Sequence, residues 1–358
     1  MPMLGWGIQS NTSEGVHTPL RARTFVVDAP SAGRRVAIVV CDLLMVSDAL
    51  RLGVLEMLRV SHPSVGVDTH GLVMLATHTH SGPAGFSDHF VYNLPNPGFS
   101  PRVFRHLATA IAASIAEAAS RLEAAELRWG EATVPLTAPV AFNRTVEAYN
   151  ANTDVEPMTW ATRAKAVDRR LRLLRIDALD GRPIGALSWF ATHGTCVHSD
   201  NTLLHPDHKG LASVGLQAAI ERATGSSCVC AFAQGAAGDV SPNHRWNARR
   251  GRMVGACDDD FAWAQQVADV QVEVALKAWH AAAAVPPEPP TIDAHAMHLD
   301  FRGYEASLAY TGGVRGCRTG ESWLGVTFLE GTKEGGGPLL HAPWVAGLAR
   351  KAVVELAA

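Results

Sequence analysis

Four short stretches of this chain carry residue types that do chemistry. The first is Thr77-His78-Thr79-His80-Ser81-Gly82-Pro83. In extended backbone, residues two apart point to the same side, so His78 and His80 can aim two imidazoles at one point. That arrangement suits a metal whose bonds to histidine are about 2.0–2.1 Å long. Two polar residues at a loop edge give the same letters, and bare H-x-H pairs arise by accident. The second stretch, Phe190-Ala191-Thr192-His193-Gly194-Thr195-Cys196-Val197-His198, also follows an apolar run. Its glycine lets backbone turn sharply or come close to a ligand. A single His193 reads equally as a satisfied core histidine. Two histidine clusters at strand ends say more together, because sites in open α/β sheets gather there.

The third stretch is Ala233-Gln234-Gly235-Ala236-Ala237-Gly238-Asp239-Val240-Ser241-Pro242-Asn243. Small residues surround one Asp and one Ser, which brings backbone N–H groups close to a substrate. Ser241 precedes proline and is biased to extended geometry that presents its hydroxyl. A plain turn, with Ser and Asp bonding local backbone, is the ordinary alternative. The fourth is Phe142-Asn143-Arg144-Thr145. Arg144 could bind a developing oxyanion or a polar head group, or sit solvated on the surface. His205-Pro206-Asp207-His208 has metal-like letters, but its proline suggests a loop. His295 and His298 lie three apart on an expected strand and so face opposite sides. The chain has no G-x-S-x-G elbow, Walker loop, H-E-x-x-H or dinucleotide fingerprint. The Gly-rich segment 330–338 lacks the Lys-Ser/Thr ending of a phosphate loop.

The elements that must position these residues alternate between strand and helix. Residues 36–46 read as a core strand, and Ser47 caps a helix to about residue 61, with Leu50, Val54, Leu55 and Leu58 at helical spacing. A short strand over 71–76 runs into the H-x-H loop. Pro101 opens a helix to about residue 122, and 125–136 reads as a strand. Two apolar runs flank Asp180-Gly181, a strong hairpin signal. A helix over 209–223, a strand over 227–234 and a helix over 261–280 follow. The Pro-rich segment 285–291 is the best internal boundary. Beyond it a strand over 292–301 and a final helix over 343–356 are expected. The sum is an α/β fold, a layered mixed β-sheet flanked by helices, read as a single domain over 1–358.

Composition narrows the function classes. The 358 residues are long enough to bury a sizeable core. A formal net charge of -3 without a dense Lys/Arg block excludes nucleic acid as the expected partner. No apolar run approaches the roughly 20 residues that span a bilayer. The start, MPMLGWGIQS, shows no basic-then-apolar leader, so no signal peptide is read and the compartment stays open. The 6 cysteines are scattered without a C-x-x-C pair and read as reduced, mostly buried thiols.

The order of these segments resembles the neutral/alkaline ceramidase family. The match begins with MLGWG and GVHTPLRARTFVVD, continues through THTHSGP, FNRT, FATHGT, DHKGLAS and FAQGAAGDVSPN, and ends with FLEGTKEGGGP. THTHSGP and GDVSPN are the specific ones. The resemblance implies that His78 and His193 are zinc ligands and that His80 and Arg144 contact the substrate or the oxyanion. It implies that Ser241 is the nucleophile. Zinc with an open position lowers the pKa of its water to about 7 and polarises a carbonyl. Ser241 would then attack an amide carbonyl of ceramide, releasing a fatty acid and a sphingoid base. The partner implied is a ceramide-like lipid, met at a membrane surface, since relatives are often secreted or membrane-associated.

The resemblance also implies two further ligands, a Glu within a G-E-x-T-x-x-A-G segment and a Tyr. Glu321 follows Gly320, but the rest of that pattern is missing around it. The expectation is therefore a catalytic domain abbreviated at its start, shortened at its C-terminal side and without the family's small C-terminal β-domain. Two other functions stay in play. One is a metal-dependent hydrolase of another N-acyl or ester lipid. The other is an inactive relative that binds lipid or a partner.

Overall fold

A computed structural model of the chain describes residues 1–8, 11–29, 34–93, 96–289, 291–321 and the pairs 331–332 and 335–336. The expected final helix lies outside the described residues, as does most of FLEGTKEGGGP. The residues group into two compact units, Met1–Ala294 and His295–Ala358.

The first unit is built on two sheets. Strands β1 (Ala22–Ala29), β2 (Arg34–Cys41) and β3 (Leu72–Ala76) form one sheet in that order, with β1 antiparallel and β3 parallel to β2. Strands β4 (Ala125–Thr133), β5 (Arg170–Ala178), β6 (Pro183–Phe190) and β7 (Val229–Gln234) form the other, in the order β7-β6-β5-β4. Only the β6–β7 pair in it is parallel. The β5–β6 hairpin turns at Asp180-Gly181, where Gly181 takes a φ of 84°. Helices α1 (Asp48–Ser61) and α2 (Pro101–Ala119) pack on the first sheet, α3 (Asp207–Thr224) and α4 (Asp260–Ala282) on the second.

The side chains say how the layers stack. On β2, Ala37, Val39 and Cys41 join Leu50, Val54, Ile111 and Ile115 of the helices. The alternate residue Val40 faces the other way, into a cluster with Phe25, Leu174, Ile176, Leu187, Ala231 and Ala233. On β7, Cys230 and Phe232 point to α3 and α4, while Ala231 and Ala233 point to the first sheet. Period-two alternation thus sends one face of each sheet to helices and the other to its companion sheet. The result is a four-layer helix–sheet–sheet–helix sandwich. Strands buried on both faces read as continuous apolar runs, which is how these appear in the sequence.

Local signals hold where the backbone chemistry is local. Ser47 caps α1, its Oγ accepting the Leu50 N–H (3.1 Å). Asp259 caps α4 through the N–H groups of Phe261 and Ala262. The cysteines are free thiols, four of them buried. No described helix is long and apolar enough to cross a membrane.

The expected strand over 292–301 is not formed: no strand is assigned to those residues. Met297, Leu299 and Phe301 are exposed in the second unit. Alternation alone makes no strand, because its N–H and C=O groups need a neighbouring ladder. The second unit holds a short 3-10 turn, Leu308–Tyr310, and a bridge between Glu305 and Arg318.

Candidate metal centre

The two sheets meet where β3 and β6 end. Past β3, the Thr77 N–H bonds the Cys41 carbonyl (2.9 Å) and the His78 N–H bonds the Leu43 carbonyl (2.9 Å). Past β6, the His193 N–H bonds the Val240 carbonyl (3.0 Å). A parallel bridge between Thr79 and Gly194 joins the two strand ends. A Cβ at Gly194 would stand 2.3 Å from the His78 carbonyl oxygen, so only glycine permits this approach. His78 has a φ of 66°, uncommon for a residue with a side chain. The H-x-H segment is therefore kinked rather than extended, and the kink belongs to the site.

His78 and His193 face each other with their Nε2 atoms 2.8 Å apart. The other nitrogen of each ring is committed to backbone. His78 Nδ1 lies 2.6 Å from the Leu44 carbonyl oxygen and His193 Nδ1 lies 2.8 Å from that of Ala237. A carbonyl only accepts, so both rings carry their proton on Nδ1 and turn an Nε2 lone pair toward the other ring. Burial favours the neutral imidazoles. It pushes His193 down to about 2, aided by the charges of His78 and Arg144, and it lowers His78 as well. Two facing lone pairs at this distance call for a cation between them. The donor set therefore fits a metal that takes neutral imidazole nitrogens.

His80 completes a triangle. Its ring lies 5.0 Å from that of His78 and 5.4 Å from that of His193. One ligand atom from each of the three rings falls within 4.8 Å of the others. Both ring nitrogens of His80 are buried without a hydrogen-bond partner. Burial, then the neighbouring rings, holds its pKa well below the usual value. The ring is walled by Trp6, edge-on at 4.9 Å, and by Gly5.

The serine and arginine come in on a third piece of chain. Phe142–Asn143 pairs antiparallel with Val240–Ser241. The Arg144 N–H bonds the Asp239 carbonyl (2.8 Å), and its Nη2 donates to the Gly238 carbonyl (2.7 Å). From there its positive charge depresses His78, His80 and His193 alike. Ser241 is fully buried, and its Oγ accepts the Asn243 N–H (2.9 Å). The Ala237 carbonyl bonds both His193 Nδ1 and the Val240 N–H (3.1 Å), tying the serine strand to the histidine. So His78, His80, His193 and Arg144 share one neighbourhood, with Ser241 on the strand that holds His193.

Several neighbours were not among the candidate site residues. Trp6 stacks on His198 at 5.8 Å, and His198 in turn bonds Asp260 (2.9 Å). Cys196, Asp207 and His208 form a second group of ligand-type atoms. Those of Asp207 and His208 are already committed. The Asp207 carboxylate takes the N–H groups of Val197 and His208, and both His208 nitrogens are bonded. This is buried scaffolding, and the metal-like letters of His205–His208 serve it.

Comparison with known proteins places the chain in a family. Residues 1–342 match the family described as neutral/alkaline non-lysosomal ceramidase, N-terminal. A neutral ceramidase of Pseudomonas aeruginosa is 34% identical over 241 residues, 67% of this chain and 34% of that protein. Neutral ceramidase B of Dictyostelium discoideum is 28% identical over 94% of this chain and 49% of its own length. The crystal structure of the Pseudomonas aeruginosa neutral ceramidase superposes with a TM-score of 0.75 at 28% identity, covering 96% of this chain and 53% of that one. The chain thus spans about half, or less, of the length of these relatives. With its layered α/β fold and its histidine site at the sheet ends, the chain belongs to the neutral/alkaline non-lysosomal ceramidase family.

Proposed function

We propose that this chain carries the catalytic centre of a zinc-dependent amide hydrolase whose substrate is a ceramide-like N-acyl sphingoid lipid, met at a membrane surface. The supporting observation is the pair of Nε2 lone pairs, His78 and His193, facing each other at 2.8 Å with both Nδ1 protons committed to carbonyls. His78 and His193 would hold the ion. Zinc bound there supplies Lewis acidity toward a carbonyl oxygen and toward water.

The remaining roles fall to the chain's own residues. Ser241 is the nucleophile: its oxygen forms a bond to the amide carbon, its hydroxyl proton goes to the amide nitrogen, and the C–N bond breaks to release the amine and leave an acyl-enzyme. The Arg144 guanidinium and a ring N–H of His80 donate to the oxygen on which charge develops. Water then releases the fatty acid and frees Ser241. The relatives named as ceramidases supply the substrate class, and those names describe proteins longer than this chain.

The test is zinc content by elemental analysis, measured beside hydrolysis of a fluorogenic N-acyl sphingosine and of a short-chain ester. The expected result is about one zinc per chain and faster turnover of the amide. Preference for the ester would move the substrate to another lipid class. Zinc-free protein that binds lipid without turnover would overturn the hydrolase reading.

A further inference from the structure

Beneath the candidate metal centre lies a chain of buried polar groups whose hydrogen-bond directions are fixed. Lys209 is fully buried, and its Nζ donates to the Phe190 carbonyl (2.7 Å) and to Gln271 Oε1 (3.3 Å). That sets the Gln271 amide: its oxygen faces the lysine, so its NH₂ faces away. Gln271 Nε2 spends one hydrogen on the Val267 carbonyl (3.1 Å) and the other on His208 Nδ1 (3.0 Å). His208 Nδ1 must therefore be a lone pair, and the ring proton sits on Nε2. Nε2 in turn donates to the His193 carbonyl (2.8 Å). Beside it, Asp207 takes the Val197 N–H (3.1 Å). Residues 207 and 208 thus grip both ends of the loop that starts with His193. None of these groups reaches solvent: Lys209, His208 and Gln271 are all 0% exposed.

We propose that His208, oriented by Gln271 and Lys209, is a positioning residue that sets where His193 stands relative to His78, and so sets metal affinity and geometry. The inference rests on the metal reading above. The loop after β6 is fixed on both sides of His193: the Gln234 amide takes the Thr192 N–H (3.2 Å) and donates to its carbonyl (2.7 Å), Gly194 bridges to Thr79, and Asn243 Nδ2 donates to the Thr195 carbonyl (2.7 Å). At His193 itself the N–H bonds the Val240 carbonyl, the ring Nδ1 bonds the Ala237 carbonyl, and the carbonyl takes the His208 Nε2–H. Removing the His208 donor leaves a buried carbonyl unpaired beside a metal ligand and lets the His193 backbone drift. Outer partners of metal ligands change affinity by about 10–100-fold when lost.

The experiment uses Zn²⁺ affinity by competitive chelation, the visible d–d bands of the Co²⁺-loaded protein, and thermal unfolding, for the parent chain and three variants. His208→Leu removes the donor. His208→Gln places an amide N–H where Nε2–H stood. Gln271→Met keeps volume and frees the His208 tautomer. We expect His208→Leu to weaken Zn²⁺ binding about tenfold and to shift the Co²⁺ bands. His208→Gln should recover most of both, and Gln271→Met should fall between. A role in packing alone would lower the melting temperature of His208→Leu while leaving the Co²⁺ bands of the folded protein unchanged. That outcome overturns the proposal, as does a His208→Gln variant no better than His208→Leu. If His208→Leu does not fold, Gln271→Met decides: parent-like affinity and bands overturn the proposal. A parent chain that binds neither Zn²⁺ nor Co²⁺ overturns the metal reading itself, and this inference with it.

Discussion

Replacing Gly5 by alanine separates the roles of the three histidines. Gly5 has a φ of 136°, and a Cβ there would stand 2.6 Å from His80 Cγ and 2.8 Å from both His80 Cβ and Nδ1. Ordinary contact begins near 3.4 Å. The His80 ring must therefore retreat by about 1 Å, or the Gly5 backbone must shift by as much. Either way a residue with a side chain sits at a positive φ, at a cost of about 1–3 kcal/mol. In a unit of this size that lowers the melting temperature by several degrees. A displacement of about 1 Å in a group that contacts the reacting atoms costs roughly 100-fold in rate. The three atoms nearest the new methyl all belong to His80, none to His78 or His193. Gly5→Ala should therefore lose turnover on a fluorogenic N-acyl sphingosine by about two orders of magnitude while zinc stoichiometry and affinity hold. Zinc affinity that falls with turnover would make His80 a third ligand. Parent-like turnover with a parent-like melting temperature would refute the steric argument outright.

Four further expectations follow from the same geometry. His193→Ala removes one of the two facing nitrogens and should weaken zinc binding by more than the roughly 10–100-fold of an outer-partner change; unchanged stoichiometry on dialysis would sink the assignment. Ser241→Ala should keep zinc and lose turnover by several orders of magnitude; persistent turnover would mean water attacks directly. Arg23→Met strands the buried Asp42 carboxylate, which Arg23 meets at 2.9 Å, and should destabilise by about 3–5 kcal/mol in urea unfolding. Lys209 is held by burial at about 7, against an ordinary value of 10.5. The unfolded chain therefore binds this proton more tightly, so this group makes stability rise with pH from about 7 to 10.5. Chemical denaturation across that window should lose the rise in Lys209→Met; an unaltered slope would show that Lys209 is not the group responsible.

The elements were legible where one residue or one short run decides the outcome. Ser47 and Asp180-Gly181 act within three or four residues, so the α1 start and the β5–β6 turn read directly from the chain. The doubly buried strands read as apolar runs because both faces are covered. The strand over 292–301 misled because its alternation carries no information about a partner. For the candidate site, residue types and spacing gave the histidines, and only the family resemblance put His78 and His193 together. His78 and His193 are separated by 115 residues, and nothing local encodes a contact between ends of two different sheets. The H-x-H geometry assumed extended backbone, whereas His78 turns left-handed. Gln271 did leave a trace: it sits with Val267, Val274 and Ala278 on the buried face of α4, one amide among apolar neighbours. A polar residue inside a buried helical stripe needs partners. Trp6 left none, since its role depends on rings at positions 80 and 198.

One histidine of the facing pair hangs from each sheet, and this makes the sandwich a caliper. Between the strands that carry His78 and His193 lies the layer where Val40 and Phe25 meet Ala231 and Ala233, so its thickness adds to the local contacts that hold the gap. Small residues on β7 keep that layer thin. An enlarged side chain there would open the jaws without touching the centre. The same construction orders events during folding. A cation that needs both histidines has nothing to grip until the sheets have docked, so it cannot template the early steps. Under the proposed metal reading it would act as a latch on the finished sandwich, stabilising the docked state with the logarithm of its free concentration once that exceeds the dissociation constant.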